Sequence, residues 1–122
     1  MRSVVLITSL MIGITGAGAA GGVGLKDLPV SAKERDTVSG REIYANTCLH
    51  CHGIDGKGAI GIQLVPPPAD LTSNAVQNRL DASLFKRIHD GKPNTAMGAW
   101  KYSLSDDEIW DVLAYIRTMK EQ

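Results

Sequence analysis

The clearest hydrophobic pattern in the chain lies near its C-terminus, in the segment SLSDDEIWDVLAYIRTMK at 103–120. Its apolar residues recur every three to four positions, which puts them on one face of a helix: Ile109, Val112, Leu113, Ile116 and Met119. Ser105 and Glu108 have the spacing of a capping box, and acidic residues fill the first turn. The segment therefore predicts a C-terminal amphipathic helix that packs through one face.

A second helical pattern covers TVSGREIYANTC at 37–48, with Thr37 as the candidate N-cap. Gly40 inside this helix costs about 1 kcal/mol relative to Ala. A close crossing with another helix would compensate for that cost. We predict that Gly40 and Tyr44 meet the last helix at Val112 and Tyr115.

A third pattern lies in LDASLFKRIHDGK at 80–92, with Asp81 as the candidate N-cap and Gly91 as the stop signal. The intervening stretch at 53–74 is rich in glycine and contains three successive prolines, so it predicts an irregular loop. Strand periodicity is not part of this pattern, and we predict an all-α fold of about three to four helices in one domain.

The N-terminus has the features of an export signal: a basic residue, a short apolar run and small residues near position 19. A buried helix or an uncleaved membrane anchor are the alternatives. We interpret 1–19 as a cleaved signal peptide, 20–36 as a flexible lead-in and 37–122 as the folded domain. This places the domain in the periplasm, with the inner membrane as the alternative if the N-terminus is uncleaved.

Composition narrows the choice of partner. The chain has 13 basic and 13 acidic residues and is 43% hydrophobic, which argues against a nucleic acid partner. It has only two Trp, three Tyr and one Phe, so the large rings that dominate most cores are scarce. A bound group that fills the interior would account for this.

The pentapeptide CLHCH at 48–52 holds both cysteines and two of the three histidines. A disulfide between Cys48 and Cys51 would close too small a loop to stabilise the fold, and a thioredoxin-like redox pair would need a preceding strand. Zinc bound by these cysteines with His52 and His89 lacks the usual second short-spaced pair. The remaining interpretation is C-x-x-C-H, the attachment motif of c-type haem, with His52 as the iron ligand.

Two methionines follow the motif, and their contexts differ. Met119 falls on the apolar face of the last helix and is predicted to fill the core. Met97 lies in DGKPNTAMGAW at 90–100, a loop where packing does not explain it, so we predict that it is the second axial ligand. His50 is predicted to face solvent, and His89 is interpreted as a helix-end residue rather than a ligand.

These features resemble the small bacterial monohaem cytochrome c family, class I-like, over about residues 37–120. The resemblance implies a cytochrome c-like fold whose helices wrap around one covalently bound haem c. It also implies that Cys48 and Cys51 form the two thioethers, that His52 is the proximal ligand and that Met97 is the distal ligand.

Two further contacts are implied by the resemblance alone. Family members hold the proximal histidine with a backbone carbonyl from a proline-containing loop, which points to Pro66, Pro67 or Pro68, and we select Pro67. Trp100 resembles a tryptophan that many bacterial members place near a haem propionate. One departure is Gly98, which stands where many members have proline after the methionine.

The resulting hypothesis is a periplasmic one-electron carrier, not an enzyme, with redox proteins as transient partners and no small-molecule substrate. Lys57, Lys92 and Lys101 are predicted to steer an acidic partner toward the haem edge. Two alternatives stay open: an electron-transfer subunit of a larger oxidoreductase complex, and a peroxidase or gas-binding haem protein.

Overall fold

A computed structural model describes residues 35–121 of the chain. The predicted signal peptide at 1–19 and nearly all of the lead-in at 20–36 lie outside the described residues. Within 35–121 the regular structure is helical, as predicted. In chain order the elements are α1 (Thr37–Thr47), α2 (Leu49–His52), α3 (Asn74–Gln77), α4 (Asp81–Asp90), a 3-10 turn (Trp100–Tyr102) and α5 (Asp106–Arg117).

The capping box of α5 is confirmed. The Ser105 hydroxyl accepts from the Glu108 backbone N–H, and the Glu108 carboxylate accepts from the Ser105 backbone N–H at 2.8 Å. These bonds satisfy donors that the first turn of a helix leaves without partners. The helix ends at Arg117, earlier than the sequence pattern indicates, so Met119 lies just beyond it and packs half-buried against the core.

Both other predicted N-caps are wrong by one residue. Asp36 caps α1 in place of Thr37, because its carboxylate accepts from the N–H groups of Val38 and Ser39 at 2.8 and 3.2 Å. Asp81 is the first residue of α4 rather than its cap. Its carboxylate instead accepts from Arg117 Nε at 2.9 Å, which ties the start of α4 to the end of α5.

The predicted crossing of the first and last helices is confirmed. A Cβ atom on Gly40 would lie 2.0 Å from the Asp111 carbonyl oxygen, so only glycine allows this approach of α1 to α5. Beside it the rings of Tyr44 and Tyr115 meet edge to face, with centroids 5.3 Å apart. The close approach therefore offsets the low helix propensity of Gly40.

The core forms around this crossing. Its fully buried members include Tyr44, Ile109, Val112 and Leu113. The other buried hydrophobic residues come from α4, α5 and the loop that precedes α3: Leu71, Leu84, Ile88, Ala114 and Ile116. Four of the five residues predicted for the apolar face of α5 are thus buried in one cluster.

Two polar side chains fasten the segment between Leu71 and Asp81 to α5. Gln77 is buried and its amide donates to the carbonyls of Leu71 and Ile116 at 2.7 and 2.9 Å. Arg117 donates to the Gln77 carbonyl at 2.7 Å as well as to Asp81. These bonds hold the segment that contains α3 against the C-terminal helix. Within residues 35–121, the helices are all too short or too polar to cross a membrane.

Candidate functional site

A cleft of about 290 Å³ opens between α2, the proline segment, α4 and the loop that carries Met97. Its walls are mainly apolar, with Leu71, Leu84 and Leu113 among the lining side chains. All six residues predicted as cofactor contacts line this one cleft: Cys48, Cys51, His52, Pro67, Met97 and Trp100. Residues up to 52 positions apart in sequence, from Cys48 to Trp100, are thus brought to one place.

The two cysteines occupy consecutive turns at the junction of α1 and α2. Cys48 is the N-cap of α2 and Cys51 lies within it, so the short helix brings both to the same wall. Neither thiol is in a disulfide. Burial raises the pKa of Cys48, and the nearby Cys51 raises it further, whereas a hydrogen bond with Thr47 opposes the shift. Ionisation of the free Cys48 thiol is therefore disfavoured.

The zinc alternative is not supported. In the part of the chain that the structure describes, no three His, Cys, Asp or Glu side chains converge to hold a metal ion. His89 lies on α4, where its ring stacks on Phe85 with centroids 5.6 Å apart and its Nδ1 is 2.6 Å from Asp90. His50 is exposed, as predicted. Of the three histidines, only His52 lines the cleft.

His52 is oriented by one hydrogen bond. Its Nδ1 lies 3.1 Å from the Ala69 carbonyl oxygen. Because a carbonyl only accepts, Nδ1 carries the proton and the lone pair of Nε2 stays available for a metal. Burial lowers the pKa of His52, although the bond to Ala69 opposes this shift. The side chain is thus a neutral imidazole with a defined tautomer, as metal ligation requires.

The expectation that a proline carbonyl holds His52 is wrong. The acceptor is Ala69, the residue after Pro68, whereas Pro66, Pro67 and Pro68 themselves line the cleft. A turn follows at once, because the Asp70 carboxylate accepts from the Thr72 backbone N–H at 2.8 Å. The Asp-Leu-Thr sequence is a recognisable signal for such a turn and could have indicated where the chain bends.

Met97 lies in a loop that is held by few hydrogen bonds. Its carbonyl accepts from the Lys92 N–H at 2.9 Å, and its own N–H donates to the Thr95 hydroxyl at 3.2 Å. Gly91, with a φ of 73°, allows the two ends of the loop to touch, since a Cβ there would lie 2.7 Å from the Met97 carbonyl oxygen. The loop closes on itself and holds Met97, half-buried, at the cleft.

The charges around the cleft are cationic. Arg79, Arg87 and Lys92 are among its lining residues, and none of the described lining residues is acidic. The other two lysines predicted to steer a partner are paired. Lys57 contacts Glu121, which raises the lysine pKa, and Lys101 lies 3.4 Å from Asp90. Pairing reduces the charge that these two lysines present to a partner.

A family model described as cytochrome C oxidase, cbb3-type, subunit III, matches residues 35–116. The chain therefore belongs to this family of c-type cytochrome domains. It is 32% identical over 99 residues to cytochrome c6 from Synechocystis, covering 81% of this chain and 78% of that protein. Both the resemblance seen in the sequence and the all-α cytochrome c fold are confirmed.

Two larger proteins are also similar. Thiosulfate dehydrogenase from Allochromatium vinosum is 35% identical over 112 residues, which cover 87% of this chain and 39% of that protein. The crystal structure of cytochrome cL from Hyphomicrobium denitrificans superposes with a TM-score of 0.56 at 31% identity, covering 70% of this chain and 48% of that chain. The chain thus spans less than half the length of these two relatives.

The cofactor of this family is covalently attached haem c. The side chains of the cleft fit such a group. They supply two free thiols on one wall, a neutral imidazole with Nε2 available, a thioether, and apolar surface for a flat hydrophobic ring. This donor set matches the thiol pair and the His/Met ligation of c-type haem.

Proposed function

We propose that this chain is a one-electron carrier that holds one haem c through thioethers from Cys48 and Cys51. His52 and Met97 would hold the iron of this haem, and Pro67 and Trp100 would contact the ring. One observation carries the proposal: the two thiols, the oriented imidazole and the methionine line a single cleft. If His52 and Met97 both held the iron, no coordination position would remain for a substrate.

When bound, haem c supplies an iron that gains and loses one electron. The chain determines how readily this happens. His52, held by Ala69, is a stronger donor than a free imidazole. The soft thioether of Met97 favours the reduced metal. The mainly apolar walls suit a hydrophobic ring, and Arg79, Arg87 and Lys92 favour negative charge at the cleft, whether on the cofactor or on a partner.

The exported location belongs to the same proposal. Residues 1–19 act as the signal peptide, 20–36 as a lead-in and 37–122 as the haem domain in the periplasm. Partners are redox proteins that dock transiently. Lys92, exposed on the cleft, is the best placed of the three lysines to attract an acidic partner, and its effect should weaken with salt.

A second candidate is an electron-transfer subunit or domain of a larger oxidoreductase. It is favoured by the 35% identity to the thiosulfate dehydrogenase, in which the similar 112 residues make up 39% of a larger protein. In that case the haem site is unchanged and the electron passes to a fixed partner. Co-purification of a catalytic protein with the chain at stoichiometric amounts would favour this candidate over the free carrier.

Expression with haem-attachment machinery tests the proposal. We expect a red product that keeps its haem after acid-acetone extraction, shows the near-infrared band of sulfur-ligated ferric iron and titrates with one electron. Replacing both Cys48 and Cys51 by alanine should remove the covalent haem.

Met97→Ala should abolish the near-infrared band, whereas Met119→Ala, a matched change of a methionine outside the cleft lining, should keep it. Retention of the band in Met97→Ala would contradict the assignment of the distal ligand. Fast and complete carbon monoxide binding by the unmodified reduced protein would instead support a gas-binding or peroxidase function.

A further inference from the structure

We propose that Asp70 and Thr72 are positioning residues for the proximal ligand: their capped turn holds the Ala69 carbonyl against His52. The proposal rests on the assignment of His52 as an iron ligand. It concerns two side chains that lie outside the cleft lining and that the proposed electron transfer does not itself require.

Three hydrogen bonds build the turn. The Asp70 carboxylate accepts from the Thr72 backbone N–H at 2.8 Å and from the Thr72 hydroxyl at 2.7 Å. The Ser73 hydroxyl donates to the Asp70 carbonyl at 2.7 Å. Thr72 is only 5% exposed. A hydroxyl at a buried residue needs a partner, so the carboxylate and the hydroxyl hold each other in place.

The turn matters because the acceptor of the His52 bond is alanine. A proline at this position would have only ψ free, because its ring fixes φ, whereas Ala69 rotates about both angles, so the direction of its carbonyl depends more on its neighbours. On one side of Ala69, the ring of Pro68 fixes the φ angle of that proline. The capped turn at Asp70 limits the chain on the other side, immediately after the carbonyl that His52 contacts.

The far end of the turn is anchored to the rest of the molecule. Leu71 N–H donates to the Gly56 carbonyl at 2.8 Å, and the Leu71 carbonyl accepts from the buried amide of Gln77 at 2.7 Å. The Thr72 methyl group packs near Gly56. The turn thus connects the loop that follows the CLHCH motif, the Ala69 carbonyl and the segment that Gln77 fastens to α5.

The pKa of Asp70 agrees with a charged carboxylate in this turn. The two hydrogen bonds from Thr72 lower the pKa of Asp70, and the nearby charge of Lys57 lowers it further. At neutral pH the carboxylate is therefore charged and a full acceptor. Hydrogen bonds to a charged acceptor are stronger than those between neutral groups.

The turn is expected to affect how strongly His52 donates electrons to a bound metal. An N–H···O bond at Nδ1 makes Nε2 a better donor to a metal and fixes the plane of the ring. If the turn loosens, the bond to Ala69 lengthens, the imidazole becomes a weaker donor and the oxidised iron is less stabilised. The reduction potential should then rise, with no change in any iron ligand.

The first test compares Thr72→Val with Thr72→Ser, neither of which changes the charge. Valine keeps the shape of threonine but removes the hydroxyl, whereas serine keeps the hydroxyl. In haem-loaded protein we expect Thr72→Val to raise the midpoint potential and to speed exchange of the His52 Nδ1 proton, measured by NMR, roughly fivefold, as for the loss of one hydrogen bond. Thr72→Ser should stay close to the unmodified protein in both measurements.

The second test uses Asp70, which is exposed enough for its variants to fold if Thr72→Val does not. Asp70→Ala removes both the acceptor and the charge, whereas Asp70→Asn removes the charge but keeps an acceptor oxygen. We expect Asp70→Ala to speed exchange of the His52 Nδ1 proton more than Asp70→Asn does. We also expect Asp70→Ala to raise the midpoint potential further. Glu42→Ala, which removes an exposed charge on α1, serves as the control for charge alone.

Equal effects of Asp70→Ala and Asp70→Asn on the potential, with unchanged proton exchange, would overturn the proposal, because charge alone would then explain them. So would variants that only lower thermal stability. These results leave the proposed function intact. Failure of the unmodified protein to attach haem, or to titrate with one electron, would instead overturn the proposed function and this inference together.

Discussion

The His52 side and the Met97 side of the cleft are held in different ways. His52 ends α2, and the following Gly53 carbonyl accepts from the buried Tyr44 hydroxyl at 2.6 Å, so this side is joined directly to the α1–α5 crossing. Met97 instead depends on a loop that is closed by Gly91 and Thr95. Met97 also packs against the core, but the hydrogen bonds of Met97 and Thr95 stay within the loop, whereas a hydrogen bond joins the His52 side to a fully buried tyrosine.

This difference indicates which side of the cleft opens first when the fold is destabilised. Opening the His52 side requires that the most buried part of the core be disturbed, whereas opening the Met97 side requires the rupture of a few bonds within one loop. Gly98, next to Met97, has open space around the position of a Cβ, so no side-chain packing restrains this residue, although its backbone lies close to Gly91. We therefore expect Met97 to detach under conditions in which the rest of the fold persists.

The largest effect is expected from Gly40→Ala. The added Cβ would fall 2.0 Å from the Asp111 carbonyl oxygen, and helix backbone cannot move aside without separating α1 from α5. Overpacking of this kind should cost about 3 kcal/mol in free energy of unfolding. Denaturant unfolding measures it, with Gly98→Ala as the control. A loss confined to Met97 ligation, with unchanged global stability, would contradict the comparison.

Gly91→Ala should act on the Met97 side alone. The residue has a φ of 73°, and a Cβ would meet the Gly98 carbonyl carbon at 2.6 Å. Backbone strain alone contributes about 1–2 kcal/mol, and it falls on the loop. We expect the near-infrared sulfur band to weaken and carbon monoxide binding to increase, while haem attachment persists. Gly98→Ala, which has no steric conflict, should leave the band in place.

Tyr44→Phe should weaken the His52 side without changing the Met97 side. The variant keeps the ring that packs on Tyr115 but leaves the Gly53 carbonyl without the hydroxyl donor. Loss of this buried hydrogen bond should cost about 1–2 kcal/mol of unfolding free energy. Tyr102→Phe, at an exposed tyrosine, is the matched control. If the sulfur band disappears before stability falls, the two sides are coupled more closely than the contacts indicate.

The smallest expected effect is on how the free energy of unfolding depends on pH. It concerns neither the His52 side nor the Met97 side of the cleft. Hydrogen bonds from the backbone and hydroxyl of Ser105 lower the pKa of Glu108. Because the folded value is below the unfolded one, this stabilisation is complete above the ordinary glutamate pKa and is lost as pH falls through the lowered value. Glu108→Gln should remove this part of the acid dependence in unfolding experiments. The effect should appear in global stability and leave the relative stability of the two sides unchanged.

Much of the site was predictable because its residues are close in sequence. Cys48, Cys51 and His52 form one short motif, and a single turn of α2 suffices to bring them to one wall. The crossing was predictable from Gly40, because a glycine inside a helix needs a compensating contact. The loop context of Met97 led to its prediction as a ligand; the structure places the side chain on the cleft, where it also packs against the core, and its role as a ligand stays a prediction.

The wrong predictions concern atoms whose hydrogen-bond or ion-pair partners depend on the tertiary structure. The acceptor for His52 is the Ala69 carbonyl rather than that of Pro67, and only the folded chain shows which carbonyl faces the imidazole. Asp81 is engaged by Arg117, 36 residues away, instead of acting as a cap. Lys57 and Lys101 reach carboxylates that sequence proximity does not indicate.

The amino-acid sequence by itself determined the helical class, the C-terminal helix with its capping box, and the attachment motif with its candidate methionine. These follow from short-range periodicity and from residue chemistry, which do not depend on the rest of the chain. Only the tertiary structure decided which carbonyl orients His52, which lysines remain available on the cleft and how unequally its two sides are supported. The physical reason is that hydrogen bonds and ion pairs act over a few ångströms, so their partners are known only once the chain has folded.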